Sequence, residues 1–241
     1  MVYTKDFVLS ENLTPGGILG MMQSAAGDHS NLLGVGWDNL QEKGLFWAVL
    51  RHRLEYTRLP KQGERITVKT WPMETTRSAY PRATEGYDEK GNPVFRGLSL
   101  WVLMDTASRV MVLPKRSGVT VTGANRGCEI PAPGGLSPME MENVIKRTVM
   151  PVDMDENGHM NNCRYLDWAA ELLPRECVPQ EGAVWTICYL SEALEGEEIT
   201  LGWAYDDDGG VHIEGVRKEE ELSSGHSRVF AARLKKETEL W

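Results

Sequence analysis

An internal repeat is the feature that most constrains the fold of this chain of 241 residues. The segment GERITVKTW (63–71) resembles GEEITLGW (196–203), at an offset of 196 − 63 = 133. In each region a helix pattern comes before a run of strand patterns. A helix packed against an antiparallel sheet is the simplest unit with this order of elements. The repeat therefore predicts an α+β chain of two related units, with a chance similarity of two G-E-x-I-T turns as the alternative.

The first unit begins with a short strand at 1–10, which a helix follows. Thr14 and Pro15 provide an N-cap and a proline at the first helical position, and Gly34 ends the helix. Strands are predicted at FWAVLRHRLEY and ERITVKTW, and YPRATEGYDEKGNPVFRGLSLWVLMD predicts a hairpin that turns at 89–92. The predicted buried face of the helix follows the i, i+3, i+4 spacing and comprises Ile18, Met21, Met22, Ala25, His29, Leu32 and Leu33.

The second unit follows a segment rich in Pro and Gly, 114–143, which we expect to cross the surface as a connection. Its helix pattern has Asn161 or Asn162 as the N-cap and Pro174 beyond the end. Strands are predicted at VWTICYLSEAL, EEITLGWAY, GVHIEGVRKE and SRVFAARLKKE, with turns at 207–210 and 223–225. Aligning the two helices gives an offset of 165 − 18 = 147, so the first unit has 147 − 133 = 14 more residues between helix and sheet. We assign them to a longer helix and the GWDNLQEKG loop.

Composition limits the partners and the location of the chain. With 41% hydrophobic residues, 25% charged residues and a formal net charge of −9, it is typical of a soluble globular protein. The acidic balance gives no general reason to expect nucleic acid or an anionic membrane surface. MVYTKDFVLS lacks the apolar region of a signal peptide, and no segment reaches the roughly 20 apolar residues of a membrane span. We therefore expect a cytoplasmic protein.

The cysteines give no sign of a metal site or a disulfide framework. They show no C-x-x-C spacing and have no paired histidine nearby. Reduced, mostly buried thiols are the expected state of Cys128, Cys163, Cys177 and Cys188.

A polar motif lies directly before the second helix, in DMDENGHMNNCRYLDW (153–168). Asp155, Asn157 and His159 occupy alternate positions, and residues two apart in an extended segment point the same way. A carboxylate, an amide and an imidazole would then face one cleft, near the unpaired N–H groups of the helix start. The alternative is a polar turn that caps the helix and leaves an ordinary surface histidine.

The repeat helps to separate these alternatives. Under the helix offset of 147, the motif residues lie opposite side chains that cannot do acid–base chemistry, namely Val8, Ser10 and Asn12. A purely structural motif should have left similar polar groups in both units, unless the units cap their helices differently. We expect the chemistry to belong to the second unit alone.

The stretch V-D-M-D-E-N-G-H-M-N-N-x-x-Y-x-x-W resembles the D-x-D-x-N-x-H-x-N-N-x-x-Y segment of the acyl-ACP thioesterases of plants and bacteria. The resemblance extends through the first helix, LRHRLEYTRLPKQGE, LSLWVLMD and ICYLSEALEGEEI. Hotdog thioesterases that act on acyl-CoA share a shorter D-x-x-G-H-x-N-N segment, but two units in one chain favour the acyl-ACP family. The resemblance implies two tandem hotdog domains, each an antiparallel sheet wrapped around a long helix, at 1–113 and 144–241, joined by 114–143.

The resemblance also implies a set of site residues. The acid, amide and imidazole of the family fall on Asp155, Asn157 and His159, and its further acid falls on Glu192 in Y-L-S-E-A. Plant members have a cysteine after that glutamate, where this chain has Ala193, so a cysteine mechanism at that position is excluded. Cys163 and Cys188 lie nearby in sequence but match no catalytic position of the family.

The implied reaction is hydrolysis of a thioester to a free fatty acid and a carrier thiol, without a metal or organic cofactor. Asp155 would attack the carbonyl or act as base for water, and Asn157 and His159 would hold the carboxylate and the carbonyl. Glu192 would orient or deprotonate the water. Backbone N–H groups from Gly158 to Asn161 would bind the oxyanion. The covalent and direct routes both remain open at this point.

The first unit, free of catalysis, is the expected place for the acyl chain. The methionines predicted to line it are Met21, Met22, Met73 and Met104, with core packing as the alternative for each. Asn161 and Asn162 are also predicted to contact substrate. His29 and His52 are expected to be hydrogen-bonded core histidines.

The implied partner is an acyl carrier protein, which is acidic and needs basic neighbours. A solvated surface of mixed charge is the alternative for the cations near the motif and connection, which are Arg109, Lys115, Arg116, Arg126, Lys146, Arg147 and Arg164. A monomer and a homodimer are both allowed. The competing functions are an acyl-CoA thioesterase, a non-catalytic acyl-binding protein and a hotdog dehydratase. The dehydratase is disfavoured because the first helix carries only Asp28, at the edge of its apolar face.

Overall fold

A computed structural model describes residues 1–125, 129–155, 157–174, 177–217, 227–237 and 240. The turn predicted at 223–225 lies outside these ranges. The helices are α1 (Pro15–Leu32), α2 (Trp37–Gln41), α3 (Pro114–Ser117) and α4 (Asn162–Leu172), with a 3₁₀ turn at Pro151–Asp153. The strands are β1 (Tyr3–Val8), β2 (Leu45–Arg58), β3 (Arg65–Pro72), β4 (Tyr80–Tyr87), β5 (Pro93–Asp105), β6 (Met111–Val112), β7 (Ile145–Thr148), β8 (Glu181–Tyr189), β9 (Glu198–Tyr205), β10 (Val211–Arg217) and β11 (Arg228–Lys236).

The strands of the described ranges form one antiparallel sheet with two mirrored halves. Its order is β1-β3-β4-β5-β2-β8-β11-β10-β9-β7, and β6 pairs with β5. The central pair, β2 and β8, joins the halves in a ladder from Arg51 opposite Cys188 to Arg58 opposite Glu181. Strands β3 and β9 occupy equivalent places, so the repeat read from the sequence is confirmed as a structural one.

The turns before β3 and β9 show why the two GE segments look alike. Gly63 and Gly196 have backbone φ angles of 82° and 83°, in the left-handed region that favours glycine. Each donates a hydrogen bond to the residue that follows the preceding edge strand: Gly63 N donates to Leu9 O at 2.9 Å, and Gly196 N donates to Val149 O at 2.9 Å. Similar backbone geometry thus accounts for the similar sequence.

The long helix α1 and the shorter helix α4 cover one face of the sheet and lie antiparallel to each other. Thr14 Oγ1 accepts from Gly17 N at 3.0 Å, and Asn161 Oδ1 accepts from Cys163 N at 2.9 Å, so the predicted N-caps are confirmed. Gly16 lies against the side chain of Asp167, whose Oδ1 accepts from Gly16 N at 3.2 Å. The core between helices and sheet contains large, fully buried side chains, including Trp168, Trp185, Tyr56, Phe95 and Phe230.

The connection between the units crosses the opposite face of the sheet. Gly97 faces Met22 on α1, so the next residue, Leu98, faces away from the helices. Leu98 packs with Ile130 of the connection. Further along, Cys188 Sγ donates to Gly134 O at 3.5 Å. Apart from α3, the described part of 114–143 contains neither helix nor strand, and it covers apolar side chains that the sheet would otherwise expose.

The motif before α4 occupies additional chain length that the first unit lacks. Because Leu9 and Val149 make the same turn contacts, they are equivalent positions. Pro15 begins α1 six residues after Leu9, and Asn162 begins α4 thirteen residues after Val149, so the second unit has 13 − 6 = 7 more residues here. The pairing of the motif with Val8, Ser10 and Asn12 is therefore wrong, because a single helix offset ignores this insertion.

The structure differs from the predicted strands at two places: one predicted strand is too long, and one observed strand is not predicted. The strand predicted through Leu194 ends at Tyr189, since Leu190 N and Ser191 N both donate to Val229 O and the chain then turns away. Strand β7 was not assigned from sequence, because its short and mostly exposed segment, IKRT, has no apolar alternation. None of the helices in the described ranges combines the length and apolar character that a membrane crossing requires.

The close approach of α1 and α4 predicts opposite effects for two glycines of α1. In Gly16→Ala the new methyl group would lie 2.6 Å from Cys163 O and collide with the Asp167 carboxylate. We expect a loss of about 1–3 kcal/mol in the free energy of unfolding, since the α4 backbone must move. Gly27→Ala is the matched control, because nothing lies within 4 Å of its added methyl, and it should gain about 0.5–1 kcal/mol. Denaturant unfolding measures both, and equal effects would contradict close helix packing.

Candidate active site

The motif forms a tight loop instead of the extended segment that was expected. Met154 and Met160 form an isolated antiparallel bridge, and Asp155 N donates to His159 O at 2.8 Å. Gly158, with φ 76°, provides the left-handed residue that closes the turn. The expectation that alternate side chains share one direction is therefore wrong here, because alternation holds only for extended backbone.

Asp155 caps this turn with one carboxylate oxygen. Its Oδ1 accepts from Asn157 N at 2.8 Å and, at the longer distance of 3.4 Å, from His159 N. Its Oδ2 lies 3.4 Å from Asn157 Nδ2. The side chain is partly buried. Of the two oxygens, Oδ2 is therefore the one that is available for chemistry, with the amide of Asn157 beside it.

The turn geometry of Asp155 is not unusual in this chain. Asp88, in the β4–β5 turn, accepts from Lys90 N at 3.0 Å, Asn92 N at 2.8 Å and Asn92 Nδ2 at 3.0 Å. The two backbone contacts have the same sequence spacing as those of Asp155, whereas the side-chain amide comes from the fourth residue on for Asp88 and from the second for Asp155. The local structure is thus a polar turn, but Asn161 and not Asp155 or Asn157 caps α4, so the alternative holds only for the turn itself. Any catalytic role of Asp155 must come from the residues around the loop.

The loop that carries Glu192 packs against the motif loop. His159 Nε2 lies 3.3 Å from Glu192 Oε2, and the two loops are joined by a hydrogen bond from Met160 N to Ala193 O at 2.9 Å. Ala193 N in turn donates to Tyr165 OH at 3.0 Å. The structure therefore brings together His159 and Glu192, which are 33 residues apart in sequence (192 − 159), and links Asp155 to them through the shared turn.

Two buried charged residues fix these loops. Asp153, 1% exposed, accepts from Arg164 Nε at 3.0 Å, Trp168 Nε1 at 3.2 Å and Met150 N at 3.1 Å. Arg217, 7% exposed, donates to Glu197 Oε2 at 2.9 Å and to the backbone oxygen of Glu192. Sequence reasoning gave neither a role. The first acid of D-M-D was the available signal for Asp153, whereas nothing near Arg217 marked it.

The first unit contributes a cation to the site. Arg109, in the turn after β5, forms an ion pair with Glu192, and its NH2 lies 3.5 Å from His159 Nε2. Its guanidinium also lies over the ring of Phe46, 4.6 Å from the centroid. Arg109 is the only non-glycine residue with positive φ, 56°, in the described ranges. Sequence reasoning named it only as a possible carrier contact. Its place in the site depends on contact between the two units.

The expected oxyanion donors of the motif are already engaged. Gly158 N donates to Asp155 O at 3.2 Å, Met160 N donates to Ala193 O, and Asn161 N donates to Asp153 O at 2.8 Å. The prediction that Gly158 to Asn161 present free N–H groups is therefore wrong for this conformation. Two of these amides are used within the segment before α4, and that of Met160 is used in the contact with the loop that carries Glu192.

The cysteines near the site are poor nucleophiles. Burial raises the pKa of the Cys163 thiol to about 12, and its Sγ lies 3.6 Å from Gln23 Oε1. Burial also raises the pKa of Cys188, which lies under the connection. The thiols of Cys163 and Cys188 are therefore protonated at neutral pH. Cys163, Cys177 and Cys188 are free of disulfides, and Cys128 lies outside the described residues. Within those residues, no group of three His, Cys, Asp or Glu side chains is arranged to hold a metal ion.

The predicted substrate contacts do not all come together. Met21 and Met22 are buried in the main core on α1, whereas Met73 packs near Ile130 on the other face of the sheet. Met104 is partly exposed on β5. Asn161 caps α4. The backbone oxygen of Asn162 accepts from Tyr189 OH at 3.0 Å, close to the Glu192 loop.

Most cations near the motif are already paired. The pairs join Lys146 with Glu198, Arg147 with Glu171, and Arg164 with Asp153 and Asp167. Lys115 and Arg116 lie exposed on α3, and Arg126 is outside the described residues. The expected basic surface is thus smaller than the sequence suggested.

Comparison with solved structures establishes the fold class. The chain superposes on an acyl-ACP thioesterase from Bacteroides thetaiotaomicron with a TM-score of 0.85, 22% identity and coverage of 97% of this chain and 96% of that one. With the 12:0-ACP thioesterase of Umbellularia californica the TM-score is 0.75, at 20% identity and the same two coverages. The fold is therefore that of two fused hotdog units, as expected.

Sequence comparison then gives the family. The model of the acyl-ACP thioesterase N-terminal domain matches residues 2–114, and that of the C-terminal domain matches residues 137–232. The chain belongs to the acyl-ACP thioesterase family. It is 24% identical to a chloroplastic palmitoyl-acyl carrier protein thioesterase of Cuphea hookeriana over 80% of this chain and 50% of the relative. The chain spans about half the length of the curated relatives it matches.

The ion pair between the units predicts a role for Arg109 that depends on Glu192. Arg109→Gly removes the guanidinium while keeping a residue that tolerates positive φ. We expect about a tenfold lower kcat, the scale of one charge-assisted hydrogen bond. In a Glu192→Gln background the same substitution should cost little more. Steady-state kinetics of the two single variants and the double variant measure this, and fully multiplicative losses would exclude action through Glu192.

Proposed function

We propose that the protein hydrolyses the thioester of fatty acyl-[acyl carrier protein] to a free fatty acid and the carrier thiol, in fatty acid biosynthesis. The observation that carries the proposal is the contact of His159 with Glu192, beside Asp155, within the region matched by the family's C-terminal domain. The local turn at Asp155 does not by itself indicate catalysis. The combination of the Asp155 carboxylate with an imidazole and a second carboxylate does indicate catalysis.

In the proposed mechanism, Glu192 accepts a proton from water, which attacks the thioester carbonyl. The carbon–sulfur bond breaks as the tetrahedral intermediate collapses, and the thiolate leaves with a proton from His159 or solvent. Asp155 Oδ2, held near Asn157 Nδ2, either acts as a base or attacks first to form an anhydride that water then hydrolyses. Both routes end with the acid and the thiol.

Arg109 fits this mechanism as a positioning residue. Its ion pair holds the Glu192 carboxylate beside His159.

We further propose a division of labour between the units. The hotdog unit at 1–113 accepts the acyl chain, the unit at 144–241 performs the hydrolysis, and 114–143 joins them. Met21 and Met22 remain the methionines best placed to meet the chain, since they lie on α1 in the main core. A cytoplasmic location and a monomeric or dimeric state stay predictions of the sequence, and cell fractionation and light scattering test them.

Loss of the motif carboxylate predicts loss of hydrolysis without loss of structure. In Asp155→Asn the amide oxygen can still accept from Asn157 N and His159 N, so the turn should persist. We expect kcat to fall about a hundredfold or more because the base or nucleophile is missing. The rate of thioester hydrolysis is measured from the thiol that is released, and circular dichroism measures whether the fold persists.

Asp88→Asn is the matched control, because it removes the same charge from the same kind of turn away from the site. It should leave kcat unchanged. Full activity of Asp155→Asn would contradict the mechanism. Acyl transfer to Asp155, sought by mass spectrometry during a single turnover of the unsubstituted enzyme, separates the covalent route from the direct one.

The proposed carrier protein predicts a substrate preference that can be measured with one acyl chain. We expect a higher kcat/KM on the carrier protein than on CoA, and charge reversal at Lys115 and Arg116 should raise KM for the carrier substrate alone, since exposed cations steer an acidic partner. Lys90→Glu, an exposed lysine in the β4–β5 turn, is the control. A clear preference for CoA would favour the alternative, an acyl-CoA thioesterase.

A further inference from the structure

The interior of the first unit contains a buried cation that none of the carboxylates in the described ranges neutralises. Arg82, on β4, is 7% exposed. Its Nη1 lies 3.1 Å from His29 Nδ1 and 3.4 Å from Thr70 Oγ1, and its Nη2 lies 3.4 Å from Ser30 Oγ. These neighbours are uncharged or weakly basic, and the contacts with Thr70 and Ser30 are long. In the described ranges Arg82 forms no salt bridge, which makes its burial costly.

Other buried charged side chains of this protein form ion pairs. Glu55, 2% exposed, pairs with both Arg53 and Arg96 at 2.7 Å. Asp153 and Arg217 also have partners of opposite charge within the site. The fold therefore neutralises buried charges elsewhere, and the isolation of Arg82 calls for an explanation.

The groups around Arg82 do not offset its charge. Burial lowers the pKa of Arg82 to about 10, so the guanidinium stays protonated at neutral pH. Burial, followed by the field of Arg82, lowers the pKa of His29 to about 4, and burial lowers that of His52 to about 3. Both imidazoles are neutral, and the region keeps a net positive charge.

The same region contains buried polar atoms without partners. His29 Nε2 and Trp101 Nε1 have no hydrogen-bond partner among the described residues. His52 Nδ1 lies 2.7 Å from Ser99 Oγ, and the His52 ring lies 6.2 Å from that of Trp101. Ser99 is opposite Arg82 in the β4–β5 ladder. Buried polar groups are normally satisfied, so the unmet donors and the unpaired cation together indicate a missing acceptor.

A series of aromatic rings leads from this region to the proposed active site. The ring of His52 lies 5.7 Å from that of Tyr189, which lies 5.7 Å from that of Tyr165. Tyr165 OH accepts from Ala193 N, the residue after Glu192. An acyl chain with its thioester at Glu192 could follow these rings into the first unit.

We infer that a cluster of five buried polar residues binds an oxygen atom that the acyl chain carries at a position remote from its thioester. The members of this cluster, named here the Arg82 cluster, are Arg82, His29, His52, Ser99 and Trp101. A carboxylate would bind most strongly, because it neutralises the guanidinium and forms charge-assisted hydrogen bonds. A hydroxyl would bind less strongly. The inference rests on the proposed function, since it specifies which acyl chains that function acts upon.

The test compares thioesters of one chain length that end in a methyl, a hydroxyl or a carboxylate group. In the unsubstituted protein kcat/KM should be highest for the carboxylate. Arg82→Met, which keeps most of the side-chain volume, should lower kcat/KM for the carboxylate substrate roughly tenfold to a hundredfold and favour the methyl substrate. Arg77→Met is the control, at an exposed arginine of the β3–β4 loop. It should change neither kcat/KM for the carboxylate substrate nor the preference among the three substrates.

Binding of the free acids separates this inference from the proposed function. A dicarboxylic acid should raise the unfolding temperature of the unsubstituted protein, but not that of Arg82→Met, even if no thioester is hydrolysed. Ligand-free Arg82→Met should itself unfold at a higher temperature, because an unpaired buried charge is gone. If it fails to fold, Ser99→Ala should still weaken binding of the dicarboxylic acid. Equal thermal shifts with the dicarboxylic and the methyl-ended acid, or a preference for methyl-ended chains that Arg82→Met leaves unchanged, would overturn the inference.

Discussion

The ladder between β2 and β8 is the contact on which the rest of the structure depends. It joins two half-sheets into one, and the continuous sheet places α1 beside α4 on a single face. Because β5 lies next to β2, the turn after β5 reaches the loop after β8, where Arg109 meets Glu192. The site is therefore a product of sheet pairing, although its other polar groups come from the second unit.

Local signals in the sequence predicted much of this arrangement. Thr14 and Asn161 were recognised as helix caps because capping needs only the next few residues. The repeat predicted equivalent strands because Gly63 and Gly196 impose the same backbone on the same turn. The motif residues and Glu192 came from resemblance to a family, and the structure then placed His159 against Glu192.

Long-range contacts and local conformation could not be predicted in the same way. The motif looked extended because alternating polar residues suit a strand, but Gly158 closes a turn and a seven-residue insertion makes room for it. Arg109 lies 83 positions from Glu192 (192 − 109), and only the β2–β8 pairing relates them. Arg82 lies in an ordinary strand pattern, and only its spatial neighbours reveal that no carboxylate in the described part of the chain neutralises it.

The connection over the outer face has a consequence for how the two units can differ. In a symmetric assembly of identical chains every substitution occurs at both sites, so a change that suits one site is imposed on the other. A covalent link that spans the sheet removes this symmetry. One half can then accommodate an unpaired arginine in its interior, and the other can lengthen the approach to its helix, with neither change repeated in its neighbour.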